Sequence, residues 1–371
     1  MKNAKHISLS ITERCNLNCI YCFEKNKSPK KMSFDTAIKI IDHELSQNDG
    51  YSSVNVDFMG GESFLEYPLI KKICEHYWNH LKDLPKPVSF FTTTNGTLVS
   101  GEIKDWLTAN ARRFRCALSL DGIPVAHNIN RSDSFEKIDI PFFRKMWPEQ
   151  KVKSIISYPS LQYLTDSVIY MHGIGFPKIE IKLAYGFDWS DKEKCSLFLN
   201  QLYKLRDFYV EHPEISPCSF LDIDILQVLK PMSYIKKWCN AGEKTISYDM
   251  DGNRYPCRYF QDLRKKGKLS LEDMWKTNYS EIHNELSGSC RKCLLHNLCR
   301  TCYAQNYDIN NAFGLKPHLL CRPTQIMAYI SAQLVSMKIT AGNIEDDTGQ
   351  LKNACTFIIK AFENSSFQVN V

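Results

Sequence analysis

The stretch that decides the fold reads His6-Ile-Ser-Leu-Ser-Ile-Thr12-Glu-Arg-Cys15-Asn-Leu-Asn-Cys19-Ile-Tyr-Cys22. Its apolar first half predicts a β-strand, and three cysteines follow that strand directly with the spacing C-x3-C-x2-C. Three thiolates this close together can ligate three irons of a cubane cluster and leave the fourth iron without a protein ligand. An open iron can be chelated by a small molecule that carries an amine and a carboxylate. The pattern therefore predicts an iron–sulfur cluster that also binds a small molecule.

A zinc knuckle is the alternative for the same three cysteines. Zinc in a structural site takes four protein ligands in a closed tetrahedron. His6 precedes the cysteines on the predicted strand, and the sequence nearby holds no other cysteine or histidine to complete such a site. The coordination rule therefore favours the iron–sulfur cluster.

Strand-like and helix-like segments alternate through the first part of the chain. The predicted strands are His6–Thr12, Ser53–Met59, Val88–Asn95, Arg115–Asp121, Val152–Tyr158 and Lys178–Tyr185. The predicted helices are Phe34–Leu45, Pro68–Leu81, Glu102–Asn110, Glu136–Met146, Leu164–Gly173 and Asp191–Glu211. One crossover helix per strand implies a parallel sheet. The fold class is therefore α/β, with six units that make an open sheet or an incomplete barrel.

The alternation stops near Pro213, and the density of cysteines then rises. Thr245–Tyr259 predicts a β-hairpin with Asp251-Gly252 as its turn. Leu269–Leu286 and Pro323–Ile339 predict helices, and we expect the last thirty residues to form a surface appendage. The predicted domains are a barrel over residues 1–212, a cysteine-rich domain over 213–330 and a helical tail over 331–371.

The composition of the 371 residues narrows the classes of function. The formal net charge of +6 is spread along the chain without a basic run, so we expect no nucleic-acid partner. The charged N-terminus lacks the apolar core of a signal peptide, and no apolar stretch is long enough to span a bilayer. We therefore expect a cytoplasmic protein without a membrane partner. Fifteen cysteines in that reducing compartment indicate metal ligands more than disulfides.

Polar and glycine motifs follow consecutive predicted strands. Gly60-Gly61-Glu62 follows the second strand, and Thr94-Asn95-Gly96-Thr97 forms a tight loop after the third. Ser119-Leu-Asp121 ends the fourth strand, and Arg131 lies shortly beyond it. Each motif alone is most simply a turn or a surface residue. The carboxyl ends of parallel strands are where such sheets and barrels bind ligands, so together the motifs predict a ligand site.

A second set of cysteines lies in the C-terminal part. Its members are Cys239, Cys257, Cys290, Cys293, Cys299, Cys302 and Cys321. Its two C-x2-C units also suit a zinc ribbon or a treble-clef site, so zinc is the alternative here as well. The remaining cysteines are expected to be small buried hydrophobic residues: Cys74, Cys116, Cys195, Cys218 and Cys355.

The first cysteine motif and the strand-end motifs resemble those of the radical S-adenosylmethionine (SAM) superfamily. The resemblance implies a partial (βα)6 TIM-like barrel that binds SAM and a [4Fe–4S] cluster. It implies that Tyr21 touches the adenine and that Gly60–Glu62 binds the methionine amino group. It also implies that Ser119 faces the ribose, with Asp121 beside it at the same strand end. Arg131 would hold the methionine carboxylate, a task suited to a planar guanidinium.

The C-terminal cysteines resemble the SPASM extension of that superfamily, which carries two auxiliary [4Fe–4S] clusters. The resemblance implies that one cluster is held by Cys239, Cys257 and Cys302, and the other by Cys290, Cys293, Cys299 and Cys321. Two departures concern the first of these sets. The pair Cys299 and Cys302 is one residue closer than is usual, and Ser233 stands where sulfatase-maturating members have an extra cysteine. Cys218 or a substrate group could supply the missing fourth ligand.

The residue after Cys257 separates two candidate functions. Sulfatase-maturating members carry an aspartate there that acts as the base, whereas this chain has Arg258, which cannot accept a proton. The segment from His127 to Arg131 still resembles those enzymes. We therefore favour an enzyme that oxidatively cross-links a ribosomally made precursor peptide. The alternatives are sulfatase maturation, peptide epimerisation and, from a different class, a non-enzymatic iron–sulfur electron carrier.

Three partners follow from this interpretation. The substrate would be a precursor peptide, and a flavodoxin or ferredoxin would supply the low-potential electron. The predicted barrel starts at His6, so we expect recognition of a leader peptide by the barrel mouth or by a separate leader-binding protein. The catalytic base stays unassigned.

Overall fold

The computed structural model describes residues 3–24, 27–231, 233–286 and 288–364. The strands are β1 (Ala4–Thr12), β2 (Ser53–Gly60), β3 (Val88–Thr94), β4 (Phe114–Leu118), β5 (Val152–Ile156), β6 (Ile179–Leu183), β7 (Thr245–Tyr248) and β8 (Arg254–Tyr255). The first six helices are α1 (Phe34–Ser46), α2 (Tyr67–Asn79), α3 (Gly101–Asn110), α4 (Pro124–Asn130), α5 (Ile140–Met146) and α6 (Leu164–Gly173). The others are α7 (Lys192–Glu211), α8 (Arg258–Lys265), α9 (Leu271–Lys276), α10 (Tyr303–Asn310), α11 (Cys321–Thr340) and α12 (Gln350–Glu363).

The chain divides into two compact units. The first comprises Met1–Leu120, Arg131–Gln150 and Asn240–Ser280, and the second comprises Asp121–Asn130, Lys151–Cys239 and Glu281–Val371. The predicted domain boundaries at residues 212 and 330 follow changes in the sequence pattern, whereas these units are defined by packing. The boundaries stay a prediction.

The first unit is built on a six-stranded sheet in the order β4-β3-β2-β1-β7-β8. Strands β1 to β4 are parallel neighbours, and β1 pairs with β2 from Ala4↔Ser53 to Thr12↔Gly60. Parallel strands need covering on both faces, and the inner strands are accordingly apolar. Phe58 of β2 stacks against Phe90 of β3 and Phe114 of β4, whose ring centroids lie 5.8 and 6.2 Å from its own. This register brings the ends of β1 and β2 together.

The cysteine-rich part of the chain supplies the other edge of that sheet. Strand β7 pairs in parallel with β1, and β8 pairs antiparallel with β7. Gly252 adopts a left-handed φ of +83° in the turn between them, as the predicted Asp-Gly turn requires. The hairpin prediction is confirmed. Its pairing with β1 was not predicted, and it satisfies an edge that would otherwise present unpaired backbone groups.

The second unit contains the two-stranded parallel sheet of β5 and β6 together with helices α6, α7 and α10 to α12. Helix α12 buries Ala354, Cys355 and Ile358 in a cluster that includes Ala328 and Ala332 of α11. The expectation that the last residues form a surface appendage is therefore wrong. The apolar face of α12 provides enough surface to dock the helix.

The predicted α/β class is confirmed, since the six predicted strands and their crossover helices form with small shifts at their ends. The predicted helix Leu269–Leu286 is wrong over most of its length. Helix α9 ends at Lys276, and the Asn278 side chain accepts a hydrogen bond from Ser280 N at 3.1 Å. Such a local side-chain turn competes with helix continuation. Over the described residues, no helix combines the length and apolar character that a bilayer crossing demands.

Candidate cofactor and cluster site

The three N-terminal cysteines lie on one loop directly after β1, in the first unit. All three are half-buried, and none of them forms a disulfide. The backbone N–H of Cys22 donates to the Cys19 carbonyl at 3.1 Å, and Leu17 N–H donates to Cys15 Sγ at 3.4 Å. Burial raises the pKa of the Cys15 thiol, and the nearby Glu62 and Cys22 raise it further. The loop therefore curls its thiols towards the end of β2, where Glu62 lies.

The two glycines at the end of β2 accommodate this loop. A Cβ atom on Gly60 would lie 2.4 Å from the Thr12 carbonyl oxygen, and one on Gly61 would lie 2.2 Å from that of Arg14. In their place, Gly61 N–H donates to Thr12 O at 3.1 Å and Glu62 N–H donates to Arg14 O at 2.8 Å. The glycines therefore let the end of β2 lie close to the backbone of Thr12 and Arg14, which leads into the cysteine loop. A direct contact of Gly60 and Gly61 with a cofactor stays a prediction.

Glu62 ties the ends of two strands together. Its side chain is buried, and its carboxylate accepts hydrogen bonds from Thr94 Oγ1 at 2.8 Å and from Asn95 N–H at 2.8 Å. Burial raises the pKa of Glu62, while these bonds and the charge of Arg131 act to lower it. The Glu62 carboxylate is thus held rigidly beside Arg131 and the Cys15 thiol.

Arg131 and Tyr21 meet over the cysteine loop. The Arg131 guanidinium lies 5.4 Å from the centre of the Tyr21 ring, and Arg131 is 7% exposed. The next residue, Ser132, has a left-handed φ of 55° and accepts a hydrogen bond from Asn18 N–H at 2.9 Å. Non-glycine residues adopt this conformation only where surrounding contacts enforce it. The structure therefore brings together Tyr21, Glu62 and Arg131, three of the predicted SAM-binding residues.

Sequence reasoning missed the side chains that anchor the cysteine loop. Asn16 Nδ2 donates to Thr97 Oγ1 at 2.7 Å, and Asn95 Nδ2 donates to Asn16 Oδ1 at 2.9 Å. These bonds fasten the loop to the exit of β3. The signal was present in the Asn-rich spacing of the cysteine motif and in the polar Thr-Asn-Gly-Thr loop.

The two predicted residues after β4 have different environments. Ser119 is half-buried, and its N–H donates to Thr94 O at 2.9 Å. Asp121 is fully buried, and its carboxylate accepts hydrogen bonds from Ile155 N–H at 2.9 Å and Asn130 Nδ2 at 3.1 Å. Asp121 thus connects α4 to β5 within the second unit. A contact of Asp121 with a cofactor stays a prediction.

Arg258 lies at the start of α8 and belongs to the first unit. Its guanidinium forms an ion pair with Glu24 at 2.6 Å and donates to the Gly60 carbonyl at 2.5 Å. It also lies over the Phe23 ring, 5.4 Å from the ring centre. Burial acts to lower the pKa of Arg258, but the charge of Glu24 raises it above its usual value. Arg258 is a fixed cation that holds the residues just after Cys22, and it cannot act as a base.

Four cysteines of the second unit are neighbours. Burial raises the pKa of Cys321 to about 12, and the thiols of Cys299, Cys290 and Cys293 raise it further. Cys293 N–H donates to Cys290 O at 3.2 Å, and α11 begins at Cys321. These are the four residues that the sequence assigned to one auxiliary cluster, and a set of four thiols suits such a cluster.

The other predicted set is partly brought together. Burial raises the pKa of Cys302 to about 11, and the neighbouring Cys239 raises it further. Cys257 lies in the first unit, at the N-terminus of α8. Cys218, the candidate fourth ligand, is fully buried, and its N–H donates to the Tyr209 hydroxyl at 2.9 Å. Cys218 thus packs as the other four spare cysteines do, and all five are buried as expected.

The segment around Cys290, Cys293, Cys299 and Cys321 is called the C-terminal knot below, and two residues inside it were missed as well. The buried His296 and Asn297 both face the Tyr234 carbonyl oxygen, His296 Nε2 at 3.0 Å and Asn297 Nδ2 at 2.9 Å. Asn297 Oδ1 also accepts from Lys236 N–H at 2.9 Å. These bonds hold the segment that leads to Cys239. The cysteine spacing carries no signal for them.

A single metal ion and a cubane cluster place different demands on these cysteines. In the described part of the chain, no three His, Cys, Asp or Glu side chains converge on one point as the ligands of a single ion do. A cubane instead spreads its thiolate ligands over separate irons. The neighbouring thiols of the N-terminal loop and of the C-terminal knot are compatible with that arrangement.

Comparison with protein families identifies the same N-terminal segment. The family Fer4_12, described as a 4Fe-4S single cluster domain, matches residues 7–132. The matched segment begins in β1 and runs just past Arg131. It contains the three-cysteine loop and the ends of strands β1 to β4.

Characterised relatives extend the likeness along the chain. A cysteine-type anaerobic sulfatase-maturating enzyme from Clostridium perfringens is 24% identical over 374 residues, which cover 89% of this chain and 96% of the relative. The radical SAM cyclopropyl synthase TigE from Paramaledivibacter caminithermalis is 28% identical over 324 residues, which cover 80% of this chain and 66% of the relative. The chain is thus similar to enzymes of the radical SAM superfamily over most of its length. Enzymes of this superfamily use SAM together with a [4Fe–4S] cluster.

Solved structures share the fold of this chain. Native anSMEcpe with bound AdoMet and Cp18Cys peptide has a TM-score of 0.70 at 19% identity and covers 92% of this chain and 100% of that chain. Streptococcus suis SuiB bound to precursor peptide SuiA has a TM-score of 0.57 at 14% identity and covers 86% and 76%. At these identities the likeness establishes the fold.

Proposed function

We propose that this radical SAM enzyme is a SPASM-type peptide maturase. It oxidatively modifies a ribosomally synthesised precursor peptide and forms an intramolecular cross-link through a C–C, C–S or C–O bond. Three residue sets would hold its clusters. The SAM-binding cluster takes Cys15, Cys19 and Cys22, and the auxiliary clusters take the two C-terminal sets named above.

The environment of Arg258 is the observation that carries the choice of reaction. Formylglycine formation in sulfatase-maturating relatives was expected to need a base directly after the second SPASM cysteine. Here that position holds a cation whose guanidinium is bound to Glu24 and to the Gly60 carbonyl. No rotation of this side chain supplies a proton acceptor. A reaction that uses a different proton acceptor therefore fits the chain better than sulfatase maturation.

The relatives support a peptide substrate and bond formation. One structure of similar fold, SuiB, binds a precursor peptide, and the relative TigE is a cyclopropyl synthase. Sulfatase maturation is the second candidate, because the Clostridium perfringens relative matches almost from end to end. Arg258 is the feature that weighs against it.

The residues around the cysteine loop would hold SAM. Arg131 would pair with the methionine carboxylate, and its position against Tyr21 keeps the guanidinium in place. Glu62 would fix the strand ends that surround the methionine amino group, and Tyr21 and Ser119 would contact the adenine and the ribose. When bound, SAM and the reduced cluster supply a 5′-deoxyadenosyl radical that removes a hydrogen atom from the substrate.

Cross-linking then requires an oxidation of the substrate. As the new bond forms, the substrate radical gives up one electron and one proton, so the peptide loses two hydrogens in total. The auxiliary clusters would accept the electron, and a flavodoxin or ferredoxin would supply the separate low-potential electron for SAM cleavage. A leader-binding protein would present the peptide if the chain does not bind it directly.

The decisive experiment uses the short open reading frame nearest the gene as the source of the peptide. The peptide is co-expressed with the enzyme under anaerobic conditions and analysed by mass spectrometry. We expect a loss of two hydrogens and a fragmentation pattern that shows a ring. An unchanged mass with an inverted stereocentre would identify an epimerase, and an aldehyde on a sulfatase peptide would identify the second candidate.

A second measurement separates an enzyme from an electron carrier. The reduced, reconstituted protein is incubated with SAM, and 5′-deoxyadenosine is quantified. The proposal expects 5′-deoxyadenosine to form. A protein that retains its clusters and makes none under these conditions contradicts any radical SAM activity.

A further inference from the structure

Lys316 is a buried cation inside the C-terminal cysteine knot. It lies between α10 and α11 and is 8% exposed. Its Nζ donates to the carbonyl oxygens of Cys299 at 2.8 Å and His296 at 3.2 Å. Both partners are neutral backbone groups, so neither of them balances the charge of the ammonium.

This arrangement leaves the charge of Lys316 to be balanced by something else. Among the residues that the structure describes, no aspartate or glutamate forms an ion pair with it. A buried ammonium without a counter-charge is unfavourable, and a negative group placed beside it removes that penalty.

The ammonium lies directly against this cysteine set, because Lys316 donates to the carbonyl oxygen of Cys299, one of the four cysteines assigned to the cluster. Four thiolates around a [4Fe–4S] core give the cluster a net negative charge, which grows by one when the core accepts an electron. A fixed cation at short range therefore stabilises the reduced cluster more than the oxidised one.

We propose that Lys316 is the built-in counter-charge of the auxiliary cluster held by Cys290, Cys293, Cys299 and Cys321, and that it raises the reduction potential of this cluster. The inference rests on the proposed function, because it requires that this set holds a cluster. An electron that leaves the substrate would then be more stable on this auxiliary cluster than on the other one. Lys316 is thus a positioning residue that acts through the cluster.

The cations beside the other auxiliary set are paired with carboxylates, as Arg258, next to Cys257, is with Glu24. The charge that acts on Cys302 is that of Lys182, whose side chain is 65% exposed and pairs with Glu180 at 3.0 Å. Solvent and the carboxylate both screen such a charge. The difference between a buried, unpaired lysine and an exposed, paired one predicts different potentials for the two auxiliary clusters.

The test measures the potential directly. The background is the full chain with Cys15, Cys19 and Cys22 changed to alanine, so that only the auxiliary clusters contribute. Lys316→Met removes the charge at similar size, Lys316→Gln removes it but keeps a donor for the carbonyls, and Lys316→Arg keeps it. Lys182→Met is the matched control for an exposed cation. Iron and sulfide content are measured first, followed by redox titration monitored by electron paramagnetic resonance.

At a fixed potential near the midpoint of the parent protein, the neutral variants should lower the reduced-to-oxidised ratio of one cluster about tenfold. For a one-electron couple this corresponds to about 59 mV. The Arg variant should restore the ratio, and Lys182→Met should leave it within about twofold.

The outcomes separate the inference from the proposed function. Two clusters with an unchanged potential in Lys316→Gln overturn the role of Lys316 and leave the peptide maturase intact. A background protein that holds fewer than two clusters overturns the cluster assignment itself. If Lys316→Met fails to fold, Lys316→Gln decides, and a loss of the cluster in Lys316→Gln but not in Lys316→Arg supports the counter-charge by a second route.

Discussion

The N-terminal cysteine loop and the C-terminal knot both present cysteines, but the side chains around those cysteines differ. The loop presents three half-buried thiols from one short segment, and polar side chains such as Asn95 and Ser132 hold it. The knot gathers four thiols from two separated segments, and the buried Lys316 donates to the carbonyl oxygen of Cys299 among them. One region keeps polar side chains beside its cysteines, and the other places a buried cation there.

In the proposed function this difference would correspond to two kinds of cluster chemistry. Three thiols would leave one iron of a cubane open to SAM, and Glu62 and Arg131 lie beside the loop that would hold it. Four thiols would complete a cubane, which could then only transfer electrons. On this proposal, the number of thiols and the neighbouring charges together distinguish a cofactor-binding cluster from an electron-storing one.

The largest effect is expected from removing one thiol in each region. Cys19→Ala should abolish 5′-deoxyadenosine formation, because the SAM-binding cluster is lost. Cys293→Ala should leave SAM cleavage measurable but abolish the two-hydrogen mass loss of the peptide, because the electron from the substrate has no acceptor. Quantifying both products in the same reaction makes the comparison direct.

The matched control for both variants is Cys74→Ala, which changes a buried cysteine outside either region. It should retain both products. Loss of SAM cleavage in Cys293→Ala with the first cluster intact would break the distinction between the two regions.

The next effect concerns the backbone that carries the N-terminal loop. Gly61→Ala places a Cβ 2.2 Å from the Arg14 carbonyl oxygen and 2.8 Å from Cys15 Cβ. The loop must move to relieve this contact, and a displacement of about 1 Å at a reacting centre costs about a hundredfold in rate. We expect such a loss in SAM cleavage, measured as initial 5′-deoxyadenosine formation.

Gly173→Ala is the control for Gly61→Ala. A Cβ on Gly173 meets no atom within 4 Å, so activity should stay at the parental level. Redox signals of the auxiliary clusters should persist in both variants. An active Gly61→Ala protein would show that the loop is less tightly bound to the end of β2 than its hydrogen bonds indicate.

Elements with a strong local pattern were predictable from the sequence. Helix α6 has the predicted bounds Leu164–Gly173, and β1 extends the predicted strand by two residues to Ala4. The SPASM resemblance also grouped the four cysteines that are neighbours in the knot. Periodicity and spacing carry this information because each depends only on residues close in sequence.

Features that depend on distant partners were not predictable. The pairing of β7 with β1 joins residues more than 230 positions apart, as in His6↔Thr245. The capture of Asp121 by Asn130 and Ile155 likewise depends on where β5 lies after folding. A motif can identify a residue as polar and well placed, but only the tertiary structure shows whether the protein itself has already used its hydrogen-bonding capacity.

The smallest effect on activity is expected from Arg258, which links the residues after the N-terminal loop to α8. Arg258→Met leaves Glu24 as a largely buried carboxylate without its cation, and breaking a buried pair from one side costs about 3–5 kcal/mol. The double variant Arg258→Met/Glu24→Gln removes both charges and should recover most of that loss. Anaerobic thermal unfolding at one heating rate measures the difference.

The Arg258–Glu24 pair lies beside the N-terminal cysteine loop, so this prediction tests that region separately from the knot. SAM cleavage should fall in Arg258→Met and return in the double variant, while the potential of the knot cluster stays constant in both. Recovery identifies Arg258 as a support for the cysteine loop. If activity stays low in the double variant although stability returns, the guanidinium itself contacts the reacting groups, and Arg258 acts in the chemistry beyond holding Glu24.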